Sequence, residues 1–166
     1  MAGASSRWSS WGRGDLLGAL GCVILVNAVG AAPALVAGPD SAWFRELEKP
    51  VFYPPEIAFP VVWTLLFSLL GIALWLVWRT DAPGRALALS LFVAQMAVNA
   101  AWTPAFFGRE SPELGLVVIL VLWVLIVATI VAFGRVDRRA AALLVPYLAW
   151  VAFAAILNGA IWWLNA

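Results

Sequence analysis

The sequence predicts an all-α integral membrane protein, a five-helix transmembrane bundle with one long lid loop between helices 1 and 2. Three observations lead there. Of 166 residues, 64% are hydrophobic and 11% charged, whereas a soluble domain carries about 25% charged residues. Five uncharged apolar windows are each long enough to cross a hydrocarbon core of about 30 Å, which takes roughly 20 residues of helix. One connection, between the first two windows, is long and rich in proline and aromatic residues.

Residues 1–14, with Ser, Gly, Arg, Trp8 and Trp11, read as a disordered or interfacial tail, and residues 15–166 as a single membrane domain. The first span covers about 16–37. Arg7 and Arg13 precede it, and Ala32-Pro33-Ala34 looks loosely like a signal-peptidase site. Its uncharged run is nevertheless longer than the roughly 7–15 residue core of a signal peptide, so it reads as a retained helix. Gly38 to Glu56 form the long loop, where Pro50, Pro54 and Pro55 bias the chain toward stiff, extended turns. Loops of this length in a compact domain are usually lids or binding loops. The remaining spans cover about 57–78, 86–107, 114–133 and 140–164. Their short connections force antiparallel neighbours.

Every Lys, Arg, Asp and Glu falls outside the five windows. A charge at mid-bilayer costs about 2.5 to 3.5 kcal/mol on insertion scales. Their exclusion therefore marks real spans, and it argues against a charge-driven pump. Arg7, Arg13, Arg79, Arg85, Arg135, Arg138 and Arg139 fall on one side, against Arg45, Lys49 and Arg109 on the other. The positive-inside bias then predicts a cytoplasmic N-terminus. Trp75, Trp78, Trp162 and Trp163 sit where an interfacial aromatic belt belongs, and Trp123 reads as a lipid-facing or packing residue.

A net charge of +1 offers no polybasic footprint for nucleic acid. Cys22 is the only cysteine and there is no histidine, so no metal cluster or common haem ligation is expected, and no obligatory cofactor. No Asp, Glu, Lys, Arg or His lies within the spans, which argues against acid-base catalysis.

Polar and aromatic residues recur on one face of three helices. Span two carries Phe59, Trp63, Phe67 and Gly71; span three carries Gln95, Asn99, Trp102 and Phe106; span five carries Tyr147, Trp150, Ala154, Leu157 and Asn158. Amides in lipid need hydrogen-bond partners, which points them inward, either as glue between helices or as pocket groups. Aromatic walls with a few fixed polar groups suit a flat, largely apolar ligand. Ala86, Ser90, Ala94, Ala97 and Ala101 form small-residue rows on span three, which let helices approach closely, within the bundle or in a homodimer.

These residues resemble the TspO/MBR family, the tryptophan-rich sensory proteins and translocator proteins. Trp43, Leu47, Lys49-Pro50 and Pro54-Pro55 look like the family's W-x-x-x-L-x-K-P-x-W-x-P-P loop, followed by Phe59 and Trp63-Thr64-x-Leu66. Gln95, Asn99, Trp102 and Phe106-Phe107 resemble its third-helix signature, and Pro146-Tyr147, Trp150, Phe153-Ala154 and Leu157-Asn158 its fifth. The resemblance implies a five-helix bundle in a prokaryotic cell membrane, often dimeric, with a pocket beneath the first loop for porphyrins such as protoporphyrin IX. It implies ligand contacts from Trp63, Phe67, Asn99, Trp102, Tyr147, Trp150, Ala154, Leu157 and Asn158, under a lid containing Trp43, Lys49, Pro50, Phe52, Pro54 and Pro55.

Phe52 stands where the family usually has Trp, and Phe67 where it usually has Tyr, so one hydroxyl is expected to be missing at the pocket mouth. Gly159 and Trp163 break the proposed cholesterol motif of animal members. The function expected is a porphyrin receptor in tetrapyrrole handling or stress regulation. The alternatives are light-dependent porphyrin breakdown through Trp63 and Trp150, and transport of small amphipathic solutes.

Overall fold

A computed structural model describes residues 11–166. Most of the expected N-terminal tail, with Arg7 and Trp8, lies outside the described residues. Among those described, five helices are long and apolar enough to cross a membrane. They are α1 (Arg13–Ala31), α3 (Ala58–Trp78), α4 (Arg85–Thr103), α5 (Pro112–Val136) and α6 (Arg138–Leu164). The short α2 (Ala42–Glu46) lies in the first loop.

Helix contacts order the bundle α1, α3, α6, α5, α4, with α4 meeting α1 only sparsely. The face of α1 turned away from α3 lies open: Leu17, Leu20, Ile24 and Leu25 are all exposed, as lipid-facing residues are. Three glycines let α1 and α3 pack closely. A Cβ on Gly71 would lie 2.5 Å from Val23 Cα, and side chains on Gly18 and Gly30 would collide with the rings of Trp75 and Phe67. Between these notches Asn27 Nδ2 donates to Ser68 Oγ at 3.3 Å and to Val23 O at 3.0 Å. Trp75 is therefore a packing residue on the α1–α3 seam. Trp78 and Trp163 remain exposed at helix ends, and Trp123 is 38% exposed near the middle of α5, facing outward.

The ends of the helices follow from local chemistry. Only Asp137 separates α5 from α6, and its carboxylate accepts from Arg139 N at 2.8 Å, capping α6. Burial raises the Asp137 pKa, but the hydrogen bonds and charge of Arg139 outweigh it and hold the group below its ordinary value. At the opposite end α4 runs into a π-helical turn, Pro104–Gly108. Pro104 has no N–H to offer the preceding turn, and the chain continues through Arg109 N donating to Pro104 O and Ser111 N to Phe106 O.

Ala86, Ser90, Ala97 and Ala101 are exposed on the outside of α4, and Ala94 is half-buried. That row thus serves little packing within a single chain.

Candidate ligand pocket

The aromatic stripes converge on a cavity of about 580 Å³ between the upper halves of the helices and the first loop. Trp63 and Phe67 reach it from α3, Asn99 and Trp102 from α4, and Trp150, Ala154, Leu157 and Asn158 from α6. These include every sequence-predicted pocket residue except Tyr147. Tyr147 is fully buried one layer behind the wall, with its ring edge against Trp63 at 6.2 Å between centroids. It meets the cavity wall through Trp63 and Asn99.

Two amide clusters fix the wall. Asn99 Nδ2 donates to Tyr147 Oη at 2.9 Å, and that hydroxyl donates to Gln95 Oε1 at 3.1 Å. Trp102 Nε1 donates to Asn158 Oδ1 at 3.1 Å, and Asn158 Nδ2 donates to Pro112 O at 2.7 Å, tying α4, α5 and α6 together. Gly115 makes room for this, since a Cβ there would lie 2.9 Å from Asn158 Oδ1. The amides are thus both interhelical glue and pocket wall. Among the described residues nothing donates to the carbonyl oxygen of Asn99, a cavity-lining residue whose Nδ2 is turned to Tyr147.

The loop above is more structured than its prolines suggest. Ser41 caps α2 by accepting from Phe44 N at 3.2 Å. α2 lies ahead of Pro50 and so escapes its restriction. It drives Phe44 down onto Phe106 and Phe107, at 6.0 and 5.0 Å between centroids, where it is 6% exposed and lines the cavity. Trp43 packs edge-on to Phe106 at 5.7 Å without lining the cavity. Lys49 Nζ donates to the carbonyls of Phe44 and Leu47 and sits 4.7 Å over the Phe44 ring. The prolines shape the turn that follows, with Tyr53 N donating to Pro50 O and Ala58 N to Pro55 O; Pro54 lies between them. The loop is also tied to the C-terminal end of α6. Asn165 accepts from Glu48 N at 2.9 Å and donates to Glu48 O at 3.0 Å.

Phe52 does not reach the cavity; it is 49% exposed and packs against Phe153. Its neighbour Tyr53 does line the cavity. Burial and the nearby Glu56 carboxylate raise the Tyr53 pKa, so the phenol stays protonated and able to donate. Tyr53 is thus a phenol-bearing lining residue contributed by the loop, where position 67 has only a phenyl ring.

Sequence reasoning also missed the contribution of α1 and of the single 3₁₀ turn, Ala32–Leu35, that follows it. Asn27, Gly30, Ala31, Ala34 and Ala37 line the cavity, followed by Asp40 in the loop. Asn27 was the available signal, an amide in a window otherwise apolar. Phe107 also lines it, because the π-turn brings Phe106 and Phe107 to the same side. Pro104 was the signal for that turn. Among the described residues no group of three or more His, Cys, Asp or Glu could hold a metal ion; the lining is mainly aromatic and apolar, with a few amides and hydroxyls and the carboxylates of Asp40 and Glu56.

Comparison with known proteins agrees with this architecture. The model of the TspO/MBR family matches residues 22–164. The tryptophan-rich protein TspO of Chlorobaculum tepidum is 42% identical, covering 87% of this chain and 93% of that protein. Its counterpart in Archaeoglobus fulgidus is 35% identical over 92% and 99%. The human translocator protein is 38% identical over 76% and 77%. With five membrane-length helices and a family match across nearly the whole span, this chain is a multi-pass integral membrane protein and belongs to the TspO/MBR family.

Proposed function

We propose that the chain is a membrane receptor for porphyrin-like tetrapyrroles and related planar apolar ligands, serving tetrapyrrole handling or stress regulation. The observation that carries this reading is the cavity. Its volume of about 580 Å³ lies within the usual range for small-molecule sites. Its walls are Trp and Phe faces, and its fixed polar groups are few and neutral, apart from Asp40 and Glu56. Lys49 is engaged with backbone carbonyls and is not part of the lining, so binding would rest on the aromatic walls, with any acidic arms of a ligand turned away from those two carboxylates. With a cytoplasmic N-terminus, the cavity opens toward the outer side of the membrane.

Titrating protoporphyrin IX into the purified protein is expected to quench Trp emission saturably. Trp63→Ala and Trp150→Ala should each weaken binding about tenfold or more, as loss of an aromatic anchor does. Quenching that never saturates, or that is the same in both variants, would sink this reading.

In this account the first loop is a lid held shut by Asn165. Asn165→Ala removes two hydrogen bonds to Glu48, each worth about 1 kcal/mol. Association and dissociation of porphyrin should both accelerate about fivefold or more, with little change in Kd, as read by stopped-flow fluorescence. Unchanged rates would mean that the loop does not gate entry.

A second reading is favoured by one further observation: Trp63 and Trp150 both line the cavity, which places two oxidisable indoles beside any bound ligand. On this reading the porphyrin is broken down in the light: it is oxidised by dissolved oxygen, which is reduced, with the two indoles as electron donors beside it. Illumination in air, with product spectra compared against protein-free detergent, separates breakdown from binding alone.

A further inference from the structure

Three side chains from two helices form a hydrogen-bonded chain that runs from a dry interior to the cavity. Gln95 and Asn99 lie one turn apart on α4, and Tyr147 reaches between them from α6. Gln95 and Tyr147 have no exposed surface, while Asn99 is 8% exposed and lines the cavity. In the direction described above, Asn99 donates to Tyr147 and Tyr147 donates to Gln95. Among the described residues that leaves Gln95 Nε2 buried without a partner, and it turns the carbonyl oxygen of Asn99, a cavity-lining residue, away from Tyr147.

A half-turn of an amide exchanges its oxygen and nitrogen with almost no change of shape. If both amides turn, Gln95 Nε2 donates to Tyr147 Oη, the hydroxyl donates to Asn99 Oδ1, and the Asn99 amino group meets the cavity. Either direction makes the same two hydrogen bonds. The first strands two N–H groups of Gln95, and the second strands one N–H and the carbonyl. A stranded carbonyl is no harder to bury than an N–H, so the interior does not strongly favour the first direction. Only a hydroxyl can couple the two ends, because it donates and accepts at one atom.

We propose that Gln95, Tyr147 and Asn99 form a reversible relay that sets the specificity of the pocket. It offers an acceptor to planar ligands bearing a ring N–H, and a donor to those bearing a ring nitrogen, carbonyl or carboxylate. Asn99 meets the ligand; Gln95 and Tyr147 are positioning residues. The proposal rests on the cavity being a site for planar apolar ligands, not on that ligand being a porphyrin.

Carbazole and acridine test it. Both are flat three-ring aromatics, one carrying only an N–H donor and the other only a nitrogen acceptor. The wild-type protein should bind both, with Kd values within about threefold as read by ligand fluorescence. Gln95→Leu deletes the inner partner, so the Tyr147 hydroxyl must donate to Asn99 and the amino group must face the cavity. The acridine-to-carbazole affinity ratio should then rise about 5- to 10-fold, the worth of one hydrogen bond. Gln95→Met, closer in shape, should shift it the same way. In a Tyr147→Phe background, Gln95→Leu should produce no shift.

A ratio of affinities does not depend on the fraction of protein folded, so it reports polarity rather than stability. Absence of the shift in both Gln95 variants, its survival in the Tyr147→Phe background, or failure of the wild type to bind either probe overturns the relay. A protein that shows the shift but ignores protoporphyrin IX keeps the relay and loses the porphyrin reading. Porphyrin binding without the shift does the reverse.

Discussion

Gly71→Ala is expected to destabilise the bundle by about 1 to 3 kcal/mol, the usual cost of forcing atoms into a close-packed site. The added Cβ would lie 2.5 Å from Val23 Cα and 2.7 Å from Val23 N. These are backbone atoms, so no side-chain rotation relieves the contact and α1 must move off α3. Movement there also disturbs Asn27 on Ser68 and Gly30 on Phe67, and both Asn27 and Gly30 line the cavity. The variant should therefore lose ligand affinity together with stability. Gly21→Ala is the matched control, since nothing lies within 4 Å of a Cβ at that position. It should leave stability unchanged or raise it by up to about 1 kcal/mol through helix propensity. Unfolding in detergent reads both, and equal destabilisation of the two variants would show that the α1–α3 seam is not close-packed.

The spans were legible because the membrane imposes a simple rule: charge is excluded and length is fixed. The aromatic stripes were legible for a related reason. Trp63 and Phe67 on α3, Asn99 and Trp102 on α4, and Trp150 and Ala154 on α6 each sit three or four residues apart, and straight helices preserve that spacing as a face. What was hidden depends on departures from straight, independent helices. Phe107 joins the wall from within the π-turn that begins at Pro104. Tyr147 shares the stripe of Trp150 and Ala154, yet it falls behind the wall because Gln95 and Asn99 hold its hydroxyl.

The closeness of α1 and α3 needed pairing information. Glycines at 18, 30 and 71 are unremarkable until Trp75, Phe67 and Val23 are placed opposite them. In the loop, the prolines correctly implied stiffness after residue 49 but said nothing about α2, whose cap at Ser41 and buried Phe44 lie upstream. Phe52 and Tyr53 are adjacent in sequence, and only the fold shows that Tyr53 is the one lining the cavity.

Filling the cavity tests the central claim that a planar ligand occupies the space beneath the first loop. Ala154 lines it from α6, one turn from Trp150 and from Asn158. A phenyl ring at that position would occupy volume the ligand needs while remaining compatible with an apolar wall. Ile156, 65% exposed on the same helix, is the control position. The decisive measurement is an equilibrium titration of protoporphyrin IX against wild type, Ala154→Phe and Ile156→Phe, each shown to be folded by its unfolding temperature. The account predicts that Ala154→Phe weakens binding at least about 30-fold, on the order of 2 kcal/mol, with stability retained, while Ile156→Phe binds like wild type. Wild-type affinity in a folded Ala154→Phe protein would contradict it and place the ligand elsewhere.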